Sequence, residues 1–319
     1  MTTSSRVLIT GAGGFVCSSI AQSLLTEGWQ VIAVDRQFDA ALQANWVKQW
    51  GDRVTFVQTD SVNLPPFEVD TVVHGAAITA SPEELGQTPE SNFRANIDPL
   101  LAILEWAQQQ GVRRVLSISS SAVYAATEPG AVSETMLTSP MGLYAAAKQT
   151  MESLLATLSS EYGRDVATIR LSNIYGPDEQ PRSTRPRVSL VAKLIQQATQ
   201  TGKITVYRDD PARDWTFAPD VGAAVAALLK QPTLHHALYN VASEQVLSPV
   251  DIASVIHQFM PDVERDLRDG SNPDAPVLTR RGYLSHQRLQ DETGFTSWTP
   301  FADGIRQALE LQHNKVTAS

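Results

Sequence analysis

Cysteine is almost absent from this sequence: Cys17 is the only one in 319 residues. That excludes an internal disulfide and any zinc site built on cysteine. The six histidines show no HExxH or similar spacing, and the adjacent His235 and His236 point in different directions, so no metal is expected. Positive charge is also scarce. Lys and Arg number 25 against 34 Asp and Glu, a formal net charge of −9. An acidic surface repels phosphodiester backbones, which argues against a nucleic-acid partner. No apolar run is long enough to span a bilayer, and Met1 to Ser5 carry no signal-type apolar core. The expectation is no membrane partner and a cytoplasmic location. With 42% apolar and 18% charged residues, the chain has an ordinary globular composition. Its length suits one large domain, or a main domain carrying a smaller one.

Short β-branched runs alternate with helical patterns in the first half. Strands are expected at Arg6–Thr10, Gln30–Asp35, Val54–Val57, Thr71–His74, Val115–Ser119 and Val166–Leu171. Helices are expected at Gly14–Glu27, Pro89–Gln110 and Pro140–Tyr162, with Gly28, Gly111 and Gly163 closing them. Continuous apolar strands separated by helices predict an α/β fold, a Rossmann-type doubly wound parallel sheet. Beyond Asn173 the texture changes. Tyr175–Arg187 reads as a loop, followed by a helix (Val188–Thr201), a strand (Ile204–Tyr207) and a helix (Pro219–Lys230). A strand at Tyr239–Val241 and a helix at Pro249–Met260 come next, then loop-like Pro261–Pro276 and a last helix at Phe301–Gln312. The division expected is a dinucleotide-binding domain over 1–172 and a smaller C-terminal substrate lobe over 173–319, partly interleaved with the main sheet.

The first strand runs into Thr10-Gly11-Ala12-Gly13-Gly14-Phe15-Val16-Cys17 at a helix start. Glycines there let the backbone turn sharply and approach a pyrophosphate at the positive helix end. Gly11, Gly13, Gly14, Phe15 and Val16 are therefore candidate cofactor contacts; a tight strand-to-helix turn is the bland alternative. Asp35 closes the second strand, where a carboxylate accepts both ribose hydroxyls and repels a 2′-phosphate. Arg36 beside it would attract that phosphate. The balance favours NAD, with NADP less expected.

A second motif is Tyr144-Ala-Ala-Ala-Lys148. The spacing of four puts both side chains on one helix face. A nearby ammonium should lower the phenol's pKa, so that it can exchange a proton with a substrate hydroxyl while a cofactor exchanges hydride at the same carbon. Ser119-Ser120-Ser121-Ala122-Val123-Tyr124 follows the fifth strand, where ligands gather in doubly wound sheets. A hydroxyl there can hold the reacting oxygen against the tyrosine.

TGxxG, Asp35, SSxxVY and YxxxK in this order resemble the extended short-chain dehydrogenase/reductases, the NAD-dependent epimerase/dehydratase family. Asp60 with Ser61, His74-Gly-Ala76-Ala77, Asn96, Arg170-Leu-Ser-Asn173-Ile-Tyr-Gly-Pro177, Arg213-Asp214-Trp215 and Tyr239-Asn-Val241 resemble further marks of that family. The resemblance implies Ser120, Tyr144 and Lys148 as catalytic residues, with Ser119 and Ser121 as rivals of Ser120. It implies Asp60, Ser61, Ala76, Ala77, Asn96, Ser119, Tyr144 and Lys148 at the cofactor, and Ser120, Ser121, Asn173 and Arg213 at the substrate. Two departures stand out. Cys17 replaces the usual third glycine, and Ala125 the glycine that commonly follows VY.

Dehydratase and decarboxylase members carry an acid just after the catalytic hydroxyl, whereas this chain has Ser121 and Ala122. What remains is an oxidoreductase acting on a secondary alcohol or ketone of a small sugar or sugar-acid-like molecule, or else a nucleotide-sugar 4-epimerase. A catalytically silent dinucleotide-binding regulator is the alternative from another class, against which intact Ser120, Tyr144 and Lys148 argue. Arg182, Arg185 and Arg187 lie so close together that an anion or acidic partners should offset their repulsion. Arg182 and Arg185 are thus candidate substrate contacts, or members of a solvated loop. Leu100, Leu101, Ile103, Leu104, Leu154, Leu155 and Leu158 exceed what one helix face needs, which with the resemblance suggests a homodimer. For Cys17 two readings stand: a thiol activated by the helix end, or an inert buried residue.

Overall fold

The computed structural model describes residues 5–124, 130–273 and 282–317, with side chains to residue 311. Ala125 lies outside the described residues. The first half runs β1 (Arg6–Thr10), α1 (Phe15–Thr26), β2 (Gln30–Asp35), α2 (Ala40–Trp50), β3 (Val54–Gln58), β4 (Thr71–His74), α3 (Pro82–Leu85), α4 (Pro89–Gln109), β5 (Arg114–Ser120), β6 (Ala131–Val132), α5 (Leu143–Tyr162) and β7 (Val166–Leu171). The second half adds β8 (Asn173–Tyr175), α6 (Leu190–Thr201), β9 (Lys203–Tyr207), β10 (Arg213–Phe217), α7 (Ala218–Lys230), β11 (Leu238–Val241), β12 (Val246–Leu247), α8 (Pro249–Phe259), β13 (Glu264–Arg268), β14 (Tyr283–Leu284), α9 (Gln287–Thr293) and α10 (Phe301–Thr317).

Seven strands form one parallel sheet in the order β11-β7-β5-β4-β1-β2-β3. Chain order reverses between β1 and β4, which opens the crevice where doubly wound folds bind ligands. Every residue of β4 and β7 is buried, as expected of strands covered on both faces. One core packs α1 and α7 on the sheet around Ile20, Leu24, Val221, Val225 and Leu228. The opposite face is closed by α4 and α5 through Leu100, Ile103, Leu104, Met151 and Leu155. A separate core around Trp215, Phe217, Ile252, Ile256 and Ile305 builds the C-terminal lobe.

The lobe does not stay apart. β11 pairs with β7, and Gly222 of α7 lies so close to α1 that a Cβ there would meet Ser23 Oγ at 2.1 Å. One expectation is corrected: part of Pro261–Pro276 is not loop, since Glu264–Arg268 runs parallel to Lys203–Tyr207 as a two-stranded sheet. Backbone pairing holds this charged strand, with Lys203 bridging Glu264 at 2.9 Å. Two further elements lie outside the expected pattern: α2, capped where Leu42 N donates to Asp39, and β10, where the Arg213 motif begins.

Candidate active site

At the β1–α1 turn, Gly11 has φ +73°, and a Cβ on it would lie 2.9 Å from Ala76 N. A Cβ on Gly13 would come within 2.6 Å of Gln37 O. Side chains are barred at both places, so the backbone of the turn itself faces the crevice there. Gly14 caps α1 with no side-chain hydrogen bond, which leaves first-turn N–H groups pointing outward, the arrangement that receives a pyrophosphate. Phe15 is buried and Val16 half-buried. These features fit a dinucleotide, with Gly11, Gly13 and Gly14 at its phosphates and Asp35 at its ribose.

Asp35 Oδ2 accepts from Gly13 N at 3.0 Å and Oδ1 from Gln37 N at 3.1 Å. A third group reaches it from far along the chain. Arg182 Nη2 lies 3.5 Å from Asp35 Oδ1 and donates to Gln37 O at 2.6 Å, while Nη1 donates to Gly13 O. Arg182, a candidate substrate contact by sequence, thus lies against Asp35 and the β1–α1 turn. Arg36 is exposed. Exposed Asp60 caps its own turn, accepting from Val62 N and Asn63 N, next to buried Ser61. Ala76 and Ala77 are half-buried. Asn96 is buried and braces their loop, accepting from Ile78 N at 2.9 Å and donating back to Ile78 O.

The reactive groups meet where α5 crosses the end of β5. Lys148 is buried, and its Nζ donates to Ile118 O at 2.7 Å while lying 5.8 Å from the Tyr144 ring centroid. Burial lowers its pKa to about 8. Tyr144 departs from the expectation. Burial raises the phenol, against the opposing pull of the Ser120 hydroxyl and of Arg185. In the free protein the phenol is therefore protonated, because desolvation outweighs the hydrogen bond and the charge. Ser120 also accepts from Ala122 N at 3.2 Å. Ser119 turns elsewhere and donates to Glu152. Ser121 is buried at the same loop.

The arginine loop is not a free basic patch. Arg185 pairs with buried Glu179 and stacks 5.4 Å from the Phe15 ring, and Arg187 meets Glu84 at 2.8 Å. Thr184 O accepts from Thr79 N and Ala80 N, so the loop folds back over the crevice. In the lobe, Asn173 Nδ2 donates to Asp214 O at 3.0 Å. Arg213 Nη2 is buried with no hydrogen-bond partner among the described residues. Cys17 packs on Gly75 and Ile118, and burial drives its thiol up to about 12. That favours the inert reading, since desolvation exceeds the helix-end effect. Among the described residues no group of three His, Cys, Asp or Glu forms a metal site.

Residues 7–242 match the model of the NAD dependent epimerase/dehydratase family. The chain belongs to that family. A UDP-glucose 4-epimerase of Mycolicibacterium smegmatis is 26% identical over 326 residues, covering 97% of this chain and 99% of that protein. A trifunctional UDP-glucose 4,6-dehydratase, epimerase and reductase of Arabidopsis thaliana is 26% identical over 323 residues, or 96% of this chain. The chain spans about half the length of the Arabidopsis relatives it matches, 47% in that case. Among solved structures, a UDP-glucose-4-epimerase from Stenotrophomonas maltophila with bound NAD and formylated UDP-arabinopyranose superposes with TM-score 0.84. It is 24% identical and covers 99% of this chain and 100% of the other. MoeE5 with UDP-glucuronic acid and NAD gives 0.80 at 23% identity, covering 97% of this chain and 99% of the other. These two likenesses establish the shared fold. No helix among the described residues is long and apolar enough to cross a membrane.

Proposed function

We propose that this family member is an NAD-dependent oxidoreductase acting on a secondary alcohol or ketone of a sugar or sugar-acid-like substrate. The carrying observation is Lys148, buried against the Ile118 carbonyl one helical turn from Tyr144. Burying an ammonium is costly, and a proton-handling site gives it a use. Bound NAD+ supplies a hydride acceptor and a positive charge that favours phenolate. Ser120 orients the substrate hydroxyl; Tyr144 takes its proton in oxidation and returns it in reduction. Lys148 stabilises the phenolate through its charge. Arg213 offers a buried donor for an anionic part of the substrate, and Asn173 stands beside it in the lobe.

The second reading is a nucleotide-sugar 4-epimerase, favoured by the Mycolicibacterium and Stenotrophomonas proteins. There the ketone would be reduced from its other face within one turnover. Ser121 and Ala122 add no carboxylate after Ser120, which argues against elimination of water. A panel of free sugars, sugar acids and nucleotide sugars, followed for net NADH and for epimer, separates the two readings. Tyr144→Phe should abolish either activity and leave NAD affinity within about twofold, since the lost proton transfer acts on chemistry and not on binding. Near-normal turnover sinks the assignment.

The half-buried Ile97, Leu154 and Leu158 and the exposed Leu101 on α4 and α5 support a symmetric homodimer. Light scattering at micromolar concentration tests it, and a stable monomer refutes it.

A further inference from the structure

Tyr144, Lys148 and Glu152 are spaced four apart on α5 and form one stripe along its face. Each grips one of three successive residues at the end of β5. Tyr144 meets the Ser120 hydroxyl, Lys148 the Ile118 carbonyl, and Glu152 the Ser119 hydroxyl. Only the first two belong to the chemistry described above. We propose that Glu152 is a positioning residue, holding the end of β5 so that Ser120 faces Tyr144 and keeping Lys148 charged. This rests on the catalytic reading of Tyr144 and Lys148.

Glu152 is buried and bound by Arg170 on β7, with Arg170 Nη2 at 2.6 Å and Nε at 3.0 Å. Arg170 stacks 4.5 Å from the Tyr124 ring, and Tyr124 donates to Asn240 at 2.9 Å. The carboxylate is thereby fixed from the far side, with the Ser119 hydroxyl on its near side. A buried ion pair is weak evidence for stability, because well-packed apolar side chains often serve as well. What an apolar pair could not do is accept the Ser119 proton and set a negative charge one turn from Lys148.

The surroundings of Lys148 show why that charge matters. Facing it are Tyr144 and Glu152 on its own helix, Cys17 from α1 and His74 from β4, with Arg170 behind Glu152. Burial keeps the Cys17 thiol neutral, and it pushes His74 down to about 3, so that ring is neutral as well. Tyr144 is protonated in the free protein. Cys17 and Glu152 both oppose the desolvation that drives Lys148 down; with the thiol held neutral by burial, Glu152 is the carboxylate among the groups facing it.

The test is side-chain NMR of labelled lysine in the full chain, with the Lys148 signal assigned by its loss in Lys148→Met. In Glu152→Gln, which removes the charge and uncovers Arg170, the Lys148 midpoint should fall by about one pH unit or more, a tenfold fall in the ammonium-to-amine ratio at fixed pH. Glu152→Asp keeps the charge and should restore the midpoint. Glu152→Gln and Ser119→Ala should each lower kcat roughly tenfold while NAD affinity changes less than about threefold, because only placement at the reacting centre is lost. An unchanged Lys148 midpoint in folded Glu152→Gln, or kcat within about twofold of the parent in Ser119→Ala, overturns the proposal. If Glu152→Gln does not fold, Ser119→Ala decides. The NMR reading needs no turnover. Failure of the catalytic assignment, seen in Tyr144→Phe, is therefore distinguishable from failure of this one.

Discussion

Truncating Arg182 to alanine asks what its guanidinium contributes where it lies across the ribose end of the crevice. It donates to Gly13 O and to Gln37 O at 2.6 Å and sits 3.5 Å from Asp35 Oδ1. Asp35 accepts from Gly13 N through Oδ2 and from Gln37 N through Oδ1, so a ribose diol must compete with Arg182 for the remaining capacity of Oδ1. Two hydrogen bonds at about 0.5–1.5 kcal/mol each, plus a long, partly buried ion pair under about 1 kcal/mol, give roughly 2 kcal/mol of contacts to break. At about 1.4 kcal/mol per tenfold, the ceiling is near thirtyfold. Side-chain entropy regained by a released arginine brings the expectation to roughly three- to tenfold tighter NAD binding in Arg182→Ala. Titration calorimetry with NAD measures it, and the ligand-free variant should unfold at slightly lower temperature than the parent. Weaker NAD binding would refute the reasoning, for it would mean that Arg182 contributes to the bound state.

Two further outcomes follow from burial. Cys17 is 4% exposed with its thiol pushed up to about 12, so a thiol reagent should label it negligibly at pH 8 with or without NAD. Rapid labelling by mass spectrometry, blocked by NAD, would reverse that. Asp214 is buried with Oδ2 accepting from Leu284 N, and burial raises it to about 7. Its folded pKa lies above the ordinary 3.8. The protonated form is thus favoured on folding, and the stability it contributes is lost as pH rises through about 7. Asp214→Asn should therefore gain in Tm relative to the parent between pH 5 and pH 8, by about 1.5 °C if roughly 1 kcal/mol is recovered. Equal Tm differences at both pH values would contradict it.

The sheet was legible because buried parallel strands carry unbroken apolar runs, as in Val7-Leu8-Ile9 and Thr71-Val-Val-His74. Glu264–Arg268 was not, since a charged strand at the lobe's edge is held by backbone pairing with β9 and has no apolar pattern to read. α2 left weaker marks, an Asp39 cap and Trp46 and Trp50 four apart. In the site, Tyr144 and Lys148 declared themselves through a local spacing. Glu152 continues the same stripe and could have been found by extending it one turn. The Arg182–Asp35 contact joins residues 147 apart, which no local pattern encodes. The spacing of Tyr144 and Lys148 points to a lowered phenol, whereas burial, which sequence does not display, raises it against the Ser120 hydrogen bond and the Arg185 charge.

The close approach of Gly222 to Ser23 and the return of β11 to the edge of β7 bear on how this chain can be cut and recombined. A fragment ending at residue 172 would leave the β7 edge unpaired and bare the face that Val221, Val225 and Leu228 cover, a template for aggregation. A chimera that grafts a foreign substrate lobe at that point would inherit the same fault. The exchangeable unit omits 218–241, so grafting must carry α7 and β11 along with the nucleotide-binding half and swap only the segments on either side of them.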